Sequence, residues 1–374
     1  MNGFIRNFSR HLVGVVFIFS GFVKGVDPLG TAYRIEDYFV AYGMEWAMGL
    51  ALVLSILLST AEFVIGLALV TGMKMRVTSW FLLVMMLFFT AVTYNDALYE
   101  PVPDCGCFGD AIKLTNWQTF YKNIFLIVFV LVVFFNRKRY KIRLYPAVQW
   151  FFVMVYFVGF GYFSYQNYNH LPMIDFRAWK EGRQLNPEEV QENLVYLTYR
   201  NKETGETKEY LSPDYPWNDP QWLENWEFVD QRTVLLGDQP NHGLFAEDSF
   251  GNEMTQVILE SPNQLVFVSY DLSRIPVEAI EKIEQIEKRI SEKGAGVVWL
   301  TASLPEELEA WQEKYDFFYE TFFADGTVLK TIIRSNPGLI WMDEGKVMKK
   351  WHYNDFPQGD ELDQLIVKLN TNQP

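Results

Sequence analysis

Cysteine is nearly absent from this chain: its 374 residues include only two, and none follows position 107. Two thiols cannot form the framework of several bridges that staples a small secreted domain. They are also too few for a zinc or iron–sulfur site, which takes three or four soft ligands. The four histidines show no metal-ligand spacing (His11, His170, His242, His352). The sequence therefore predicts no metal site, short of one shared between subunits.

The chain also has no excess of positive charge, because its net charge is −14. Residues 1–166 carry 13 Lys and Arg against 9 Asp and Glu, a net +4, whereas residues 167–374 carry 19 against 37, a net −18. The second half is strongly acidic and the first is mostly apolar, so neither is suited to bind nucleic acid. No nucleotide or flavin motif is present.

Long hydrophobic runs are present in the first half. A run of about 20 apolar residues is long enough to cross a bilayer as a helix. The first run resembles a signal peptide, but no small-residue cleavage site follows it, so we expect a retained helix. Five spans are predicted, at roughly 8–26, 46–72, 77–95, 117–135 and 147–166.

The loops between these spans differ in charge. Lys and Arg are enriched in three places that an even number of crossings separates: before the first span, at 74–76 and at 137–143. Positive loops stay in the cytoplasm, so the N-terminus is predicted to be cytoplasmic. The 96–116 loop and the acidic half then lie on the far side, which in a bacterium is the periplasmic side of the inner membrane.

Few ionisable side chains fall within or beside the spans. Glu62 lies in mid-helix, where an acid is costly and often functional; alternatively, it meets a Ser, Thr or Lys partner and only fixes packing. Lys24, Asp27 and Arg34 lie near the outer interface, where snorkelling explains them without a function. A short surface helix is expected at 31–44.

Cys105 and Cys107 are separated only by Gly106. A disulfide between them closes a very small, strained ring, and strained, exposed disulfides are the labile or catalytic ones. The alternative is a structural turn that oxidises passively outside the cytoplasm. Asp104 and Asp110 flank the pair, and nearby negative charge raises a thiol pKa, which argues against a reactive thiolate.

The stretches "FSGFVKGVDPLG", "AEFVIGLAL" and "DCGCFGD" resemble the DoxX/MauE family of redox-associated membrane proteins, over roughly residues 10–135. The resemblance implies a small helical bundle with a periplasmic cysteine motif, here Cys105 and Cys107 with Gly106, Phe108 and Gly109. It also implies a link to thiol oxidoreduction, in some members through quinone, or to maturation of exported disulfide proteins.

Residues 167–242 predict a β-rich connecting subdomain with an aromatic-rich loop. Its tryptophans form a candidate binding surface, although such residues more often pack a small sheet against its neighbour. The candidates are Trp217, Trp222 and Trp226.

Residues 243–374 alternate buried strands with helices and end in two strands around a "DEG" turn. This order resembles the thioredoxin fold, in which a cis-proline at the position of Pro337 lies beside the active site. The Cys-x-x-Cys of that family is absent here, so the domain is expected to bind partners and to perform no dithiol chemistry itself.

The predicted fold class is thus a multi-pass α-helical membrane bundle of about five helices, a β-rich linker and an α/β thioredoxin-like domain. Two functions fit. In the first, the chain is a thiol–disulfide oxidoreductase that exchanges electrons between exported thiols and quinone. In the second, it is a non-enzymatic scaffold or assembly factor of an envelope complex, with the last domain as its protein-binding platform.

Overall fold

The protein is described here from a computed structural model. The described residues are 3–102, 104–140, 142–185, 194–202, 204–211, 216, 220–234, 243–291, 296–315 and 319–371.

The first half is a bundle of long apolar helices. Five helical segments are long and apolar enough to cross a membrane, as predicted. Their outward faces carry exposed aromatic side chains such as Phe81 and Phe88, as lipid-facing surfaces do. The helices are α1 (Gly3–Val26), α2 (Pro28–Ala41), α3 (Ala51–Thr71, preceded by a 3₁₀ turn at Glu45–Leu50), α4 (Met75–Tyr99), α5 (Asn116–Phe135) and α6 (Pro146–Asn169).

Helices α1 and α3 approach each other closely through glycine. A Cβ on Gly21 would lie 2.5 Å from the backbone nitrogen of Phe63, and one on Gly66 would lie 2.6 Å from that of Ile18. Small residues allow membrane helices to pack backbone to backbone. This contact places the end of α1 beside the middle of α3.

The chain turns sharply after α1. Asp27 caps α2 by accepting a hydrogen bond from the backbone N–H of Gly30 at 2.9 Å, and Pro28 occupies the first helical position, which it suits. The structure therefore confirms the short helix predicted at 31–44, although it starts three residues earlier and ends at Ala41.

The strands among the described residues of the second half form two sheets. The smaller one is antiparallel, with strand order β2-β1-β3, and comprises β1 (Leu194–Asn201), β2 (Thr207–Leu211) and β3 (Trp226–Val234), with the short helix α7 (Pro220–Asn225) before β3.

The larger sheet has the order β4-β7-β6-β5-β8-β9. Strands β5, β6 and β7 are parallel, and β4, β8 and β9 run antiparallel to their neighbours. Its elements are β4 (Ala246–Glu247), α8 (Thr255–Glu260), β5 (Gln264–Ser269), α9 (Val277–Ser291), β6 (Val297–Thr301), α10 (Pro305–Tyr315), β7 (Glu320–Ala324), α11 (Gly326–Ile332), β8 (Gly338–Asp343), β9 (Lys346–His352) and α12 (Gly359–Thr371).

Helices cover both faces of the larger sheet. Along β5, Leu265 and Phe267 pack into one apolar cluster with α9 and α12, while Val266 and Val268 pack into the other with α8 and α11. Burial on both faces explains the continuous apolar run of this strand. The predicted class, a five-helix membrane bundle followed by a strand-rich α/β region, is confirmed.

The two halves contact each other. After α6, His170 Nδ1 lies 2.8 Å from a carboxylate oxygen of Asp355, and Trp179 is fully buried in the C-terminal core. A second contact joins α2 to the C-terminal region, where the hydroxyl of Tyr33 donates to the hydroxyl of Tyr270, which follows β5, at 3.1 Å. The C-terminal region is thereby held over the end of the bundle that carries both cysteines.

Candidate functional site

Both cysteines lie in the loop between α4 and α5. Gly106 adopts a left-handed φ of +61°, which glycine tolerates without strain, and its N–H donates to Oδ1 of Asp104 at 2.8 Å. This tight turn brings the two sulfur atoms within 2.6 Å of each other. Both thiols are free and partly exposed.

The loop is tied to the membrane helices beneath it. The hydroxyl of Ser20 in α1 lies 2.8 Å from the carbonyl oxygen of Cys107 and 2.7 Å from Oε2 of Glu62 in α3. Nζ of Lys24 donates hydrogen bonds to Oε1 and Oε2 of Glu62 at 2.7 and 2.8 Å and to Oγ of Ser20 at 3.0 Å. The structure therefore joins Glu62 to the cysteine loop through one serine.

Glu62 has the lysine and serine partners that one of the two sequence interpretations required. Snorkelling to water, however, was wrong for Lys24, which is only 5% exposed. A buried charge needs a partner of opposite sign, and Glu62 in the neighbouring helix supplies it.

A pocket with about 320 Å³ of empty space lies on the membrane side of the loop. Cys107, Lys24, Glu62 and Lys122 contribute to its wall, and the rest is largely apolar: Val16, Phe17, Met86, Phe89, Phe108 and Leu126. We call it the membrane-side pocket. It combines two ammonium groups with an apolar lining beside one thiol.

Lys122 reaches this pocket because of where α5 begins. Thr115 and Gln118 form a capping box that fixes the start of the helix, so that Lys122 lies two turns inside it. Its Nζ stands 4.3 Å from the ring centroid of Phe108, within the range of a cation–π contact.

The two thiols have opposite tendencies to ionise. The hydrogen bond from Cys105 lowers the pKa of Cys107 to about 6, with help from Lys122 and Lys24 against the effect of burial. The same hydrogen bond, together with burial, raises the pKa of Cys105 far above its usual range. Of the two thiols, Cys107 is therefore the one that ionises more readily.

Each flanking aspartate is paired with an arginine. Asp104 accepts from Nη2 of Arg34 at 2.9 Å, and Asp110 accepts from Nη2 of Arg334 at 3.2 Å. The expectation that these carboxylates oppose a reactive thiolate is not met, because their charge is neutralised locally. Arg34 also donates to Asp37, from Nη1 at 2.8 Å, and its side chain is partly exposed.

A wider cleft of about 900 Å³, partly open to solvent, lies above the loop between α2 and α11. Gly106 and the two aspartates form part of its floor, and Lys330 and Arg334 form part of its roof. Neither cysteine side chain lines it. We call it the outer cleft.

The other candidates lie apart from the cysteines. Pro337 follows a cis peptide bond and is buried, and it lines neither the outer cleft nor the membrane-side pocket. Trp222 packs on Tyr199 at 4.6 Å and on Trp226 at 6.0 Å, and these contacts lie within the small sheet and its helix α7. Trp217 lies outside the described residues. Among the residues that the structure describes, no group of three or more acidic, cysteine or histidine side chains is arranged to hold a metal ion.

Sequence reasoning missed the partners of the site. Ser20 and Lys24 stand one helical turn apart, which places both on one face of α1. This spacing was the feature of the sequence that could have identified them as partners in one site. Lys122 is the one charged residue within α5, which marks it as unusual in an apolar span. No local signal connects Arg334 with Asp110, since 224 residues separate them.

The fold and the site define an integral membrane protein with a paired-thiol loop at one end of its helical bundle and an α/β domain docked over that end. Residues 3–136 match the family model described as methylamine utilisation protein MauE. The match stops at the end of α5, so α6 and the second half extend beyond it. Neither a curated protein nor a solved structure matches the chain.

Proposed function

We propose that this protein is a membrane thiol–disulfide oxidoreductase whose reacting pair is Cys105 and Cys107. The observation that carries the proposal is the setting of Cys107, which lines a pocket with Lys24 and Lys122 and has a pKa lowered to about 6. Reactive cysteines occupy partly exposed positions beside cationic groups. A thiol that served only to shape a turn would need no such surroundings.

The different pKa values of the two thiols suggest the order of the exchange. When the pair is oxidised, a thiolate of an exported protein attacks the sulfur of Cys105, and Cys107 leaves as a thiolate, because the thiol of lower pKa is the better leaving group. A second thiolate of the client then attacks the mixed disulfide. The client gains a disulfide, and the protein is left with two reduced cysteines.

Reoxidation of the pair removes two electrons and the one proton that Cys105 holds while Cys107 is a thiolate. The lining of the membrane-side pocket has the chemistry that a quinone head group would need, because apolar side chains surround a cationic lysine. Lys122 is the residue that would hold a quinone carbonyl oxygen there, and a bound quinone would accept the two electrons. Lys24 and Lys122 favour the deprotonated form of Cys107. The Glu62 carboxylate is joined to the loop through the hydroxyl of Ser20, which contacts both Glu62 and the carbonyl oxygen of Cys107.

We place the protein in a bacterial inner membrane, with the N-terminus in the cytoplasm and the cysteine loop in the periplasm. Three basic segments gather at the end of the bundle opposite the cysteines. Arg6 and Arg10 stand over the ring of Tyr140 at 5.4 and 5.5 Å, and Lys74 stands over that of Trp150 at 4.9 Å. Such clustering follows the positive-inside rule.

We assign residues 243–374 to the thioredoxin-like class and residues 167–242 to a connecting subdomain. The support is the order of strands and helices, with three parallel central strands and a final antiparallel hairpin. Because this domain contains no cysteine, its role in the proposal is to bind the exported client or an envelope partner near the loop.

Trapping of a mixed disulfide tests the proposal. Cys107→Ser leaves Cys105 without its resolving partner, whereas Cys105→Ser leaves only the thiol that the mechanism treats as the leaving group. Incubation of Cys107→Ser with a peptide activated as a thionitrobenzoate disulfide should trap a lasting adduct on Cys105, whereas in wild type Cys107 should attack the mixed disulfide and release the peptide. Wild type in proteoliposomes should oxidise a reduced dithiol peptide while a short-chain quinone is consumed, and both serine variants should fail.

A non-enzymatic scaffold is the second candidate, and the observation that favours it is the charge of the second half. A net −18 over residues 167–374 suits a basic partner. Under this function both serine variants would keep the partner bound, and neither would change a redox reaction.

A further inference from the structure

We infer that Arg334 of the C-terminal domain is a positioning residue for the Cys105–Cys107 loop, so that the thiol site is complete only when this domain is docked. The inference rests on the proposed function and extends it, because it assigns part of the site to a region beyond the matched residues 3–136.

Arg334 bridges two separate parts of the membrane half. Its Nε lies 3.0 Å from both carboxylate oxygens of Asp27, which ends α1 and caps α2. Its Nη2 lies 3.0 Å from Asp27 and 3.2 Å from Asp110, which closes the cysteine loop. One guanidinium thus connects the end of a membrane helix, the loop and the docked domain.

The surroundings of Arg334 fix its direction. The side chain is 6% exposed, its Nη1 donates to the carbonyl oxygen of Lys330, and its Cζ stands 5.3 Å from the ring centroid of Tyr33. A Cβ on Gly30 would lie 2.8 Å from Nη2, so the absence of a side chain there makes room for the guanidinium. An incidental ion pair on the protein surface would have neither this burial nor a glycine that leaves room for the guanidinium.

The bridge controls the charge around the thiols. Asp104 and Asp110 flank the pair, and Arg34 from α2 already neutralises Asp104. Arg334 neutralises Asp110 in the same way. Without Arg334, an uncompensated carboxylate would stand three residues from Cys107 and oppose its ionisation. Docking of the C-terminal domain therefore favours the Cys107 thiolate.

The test measures the alkylation rate of Cys107 against pH in the reduced full-length protein, held in nanodiscs and read by mass spectrometry with iodoacetamide as the probe. It requires no client and no quinone, so it reports on the inference whether or not the protein proves to be an oxidoreductase. The groups with the largest effects on Cys107 are Cys105, Lys122, Lys24 and Glu62, and all four stay unchanged in the variants, so that only the smaller effect of the Asp110–Arg334 pair is altered.

Arg334→Gln should slow alkylation at neutral pH by about threefold to tenfold, the effect of one added charge at a partly exposed site, and shift the profile to higher pH. Asp110→Asn alone leaves Arg334 on Asp27 and should shift the profile to lower pH. In the double variant the rate should return toward that of wild type. Arg289→Gln is the matched control, since Arg289 forms an exposed pair with Asp363 in the same domain.

The inference fails if the Arg334→Gln profile overlays that of Arg289→Gln, or if Asp110→Asn leaves both the wild-type and the Arg334→Gln profiles unchanged. Should Arg334→Gln fold poorly, Asp110→Asn still decides, because it alters the bridge from the membrane half. If wild type performed the exchange reaction while the alkylation profiles of the variants matched that of wild type, the positioning role would be rejected and the proposed function would remain.

Discussion

Nζ of Lys24 in α1 lies 2.7 Å from Oε1 of Glu62 in α3, and the two side chains are 5% and 1% exposed. The pair is formed where glycines let the two helices touch, and Ser20 connects it to the carbonyl oxygen of Cys107. A charged pair inside the bundle therefore supports the loop on which the thiols stand.

The first prediction concerns this pair. Lys24→Met or Glu62→Gln alone should destabilise the bundle by about 3–5 kcal/mol, because each leaves an unpaired polar or charged group buried. The double variant should be more stable than either single variant. Reversible unfolding in mixed detergent micelles measures the free energies, and a loss in the double variant equal to the sum of the two single losses would show that the two groups do not interact.

The second prediction concerns Lys122. Lys122→Gln removes a charge that lowers the pKa of Cys107, so that pKa should rise from about 6 and alkylation at neutral pH should slow. Lys113→Gln is the control, because Lys113 lines the outer cleft and does not line the membrane-side pocket. Iodoacetamide rates across pH 5–9 provide the comparison, and equal effects of the two variants would contradict the assigned pocket.

The third prediction concerns Gly106. Gly106→Ala places a Cβ at a φ of +61° and 3.2 Å from Cγ of Arg34, so we expect a cost of about 1 kcal/mol or more. The strained loop should also close a disulfide more slowly. Gly49→Ala is the matched control, because a Cβ there meets nothing within 4 Å. Diamide oxidation followed by thiol counting measures the closure rate.

The fourth prediction concerns acid sensitivity. Burial lowers the pKa of His352 to about 4, against the opposing effect of Asp355. The unfolded chain therefore binds more protons than the folded one between about pH 6.5 and 4, and stability falls as the pH drops through that window. His352→Gln should flatten this decline by about 2–3 kcal/mol.

Urea unfolding monitored by tryptophan fluorescence at pH 4.5 and pH 7 tests the role of His352. His170→Gln serves as the control, since His170 is an exposed residue paired with the same Asp355. If the two variants showed the same pH dependence, His352 would not be the group that titrates.

Local sequence signals predicted most of the fold. Hydrophobic length alone identified the five membrane helices. Alternation of buried strands and amphipathic helices identified β5 to β9, because the apolar residues within each element show which of its faces are buried.

The site was predictable only in part. Cys105 and Cys107 stand out by their spacing, but the groups that control them come from α1, α2, α3, α5 and the segment between α11 and β8. Those contacts depend on how helices pack and on how the last domain docks, which no local pattern encodes. The aspartates show the consequence: in sequence they look like charges that oppose a thiolate, whereas in three dimensions Arg34 and Arg334 neutralise both.

The most direct test of the account is a redox titration of Cys105 and Cys107 in the full-length protein, with thiol alkylation and mass spectrometry as the readout. We predict a reversible two-electron transition within the range of known thiol–disulfide exchangers, roughly −120 to −270 mV. A pair that stays reduced under mild oxidants, or that cannot be reduced in the folded protein, would contradict the proposed oxidoreductase and favour the scaffold.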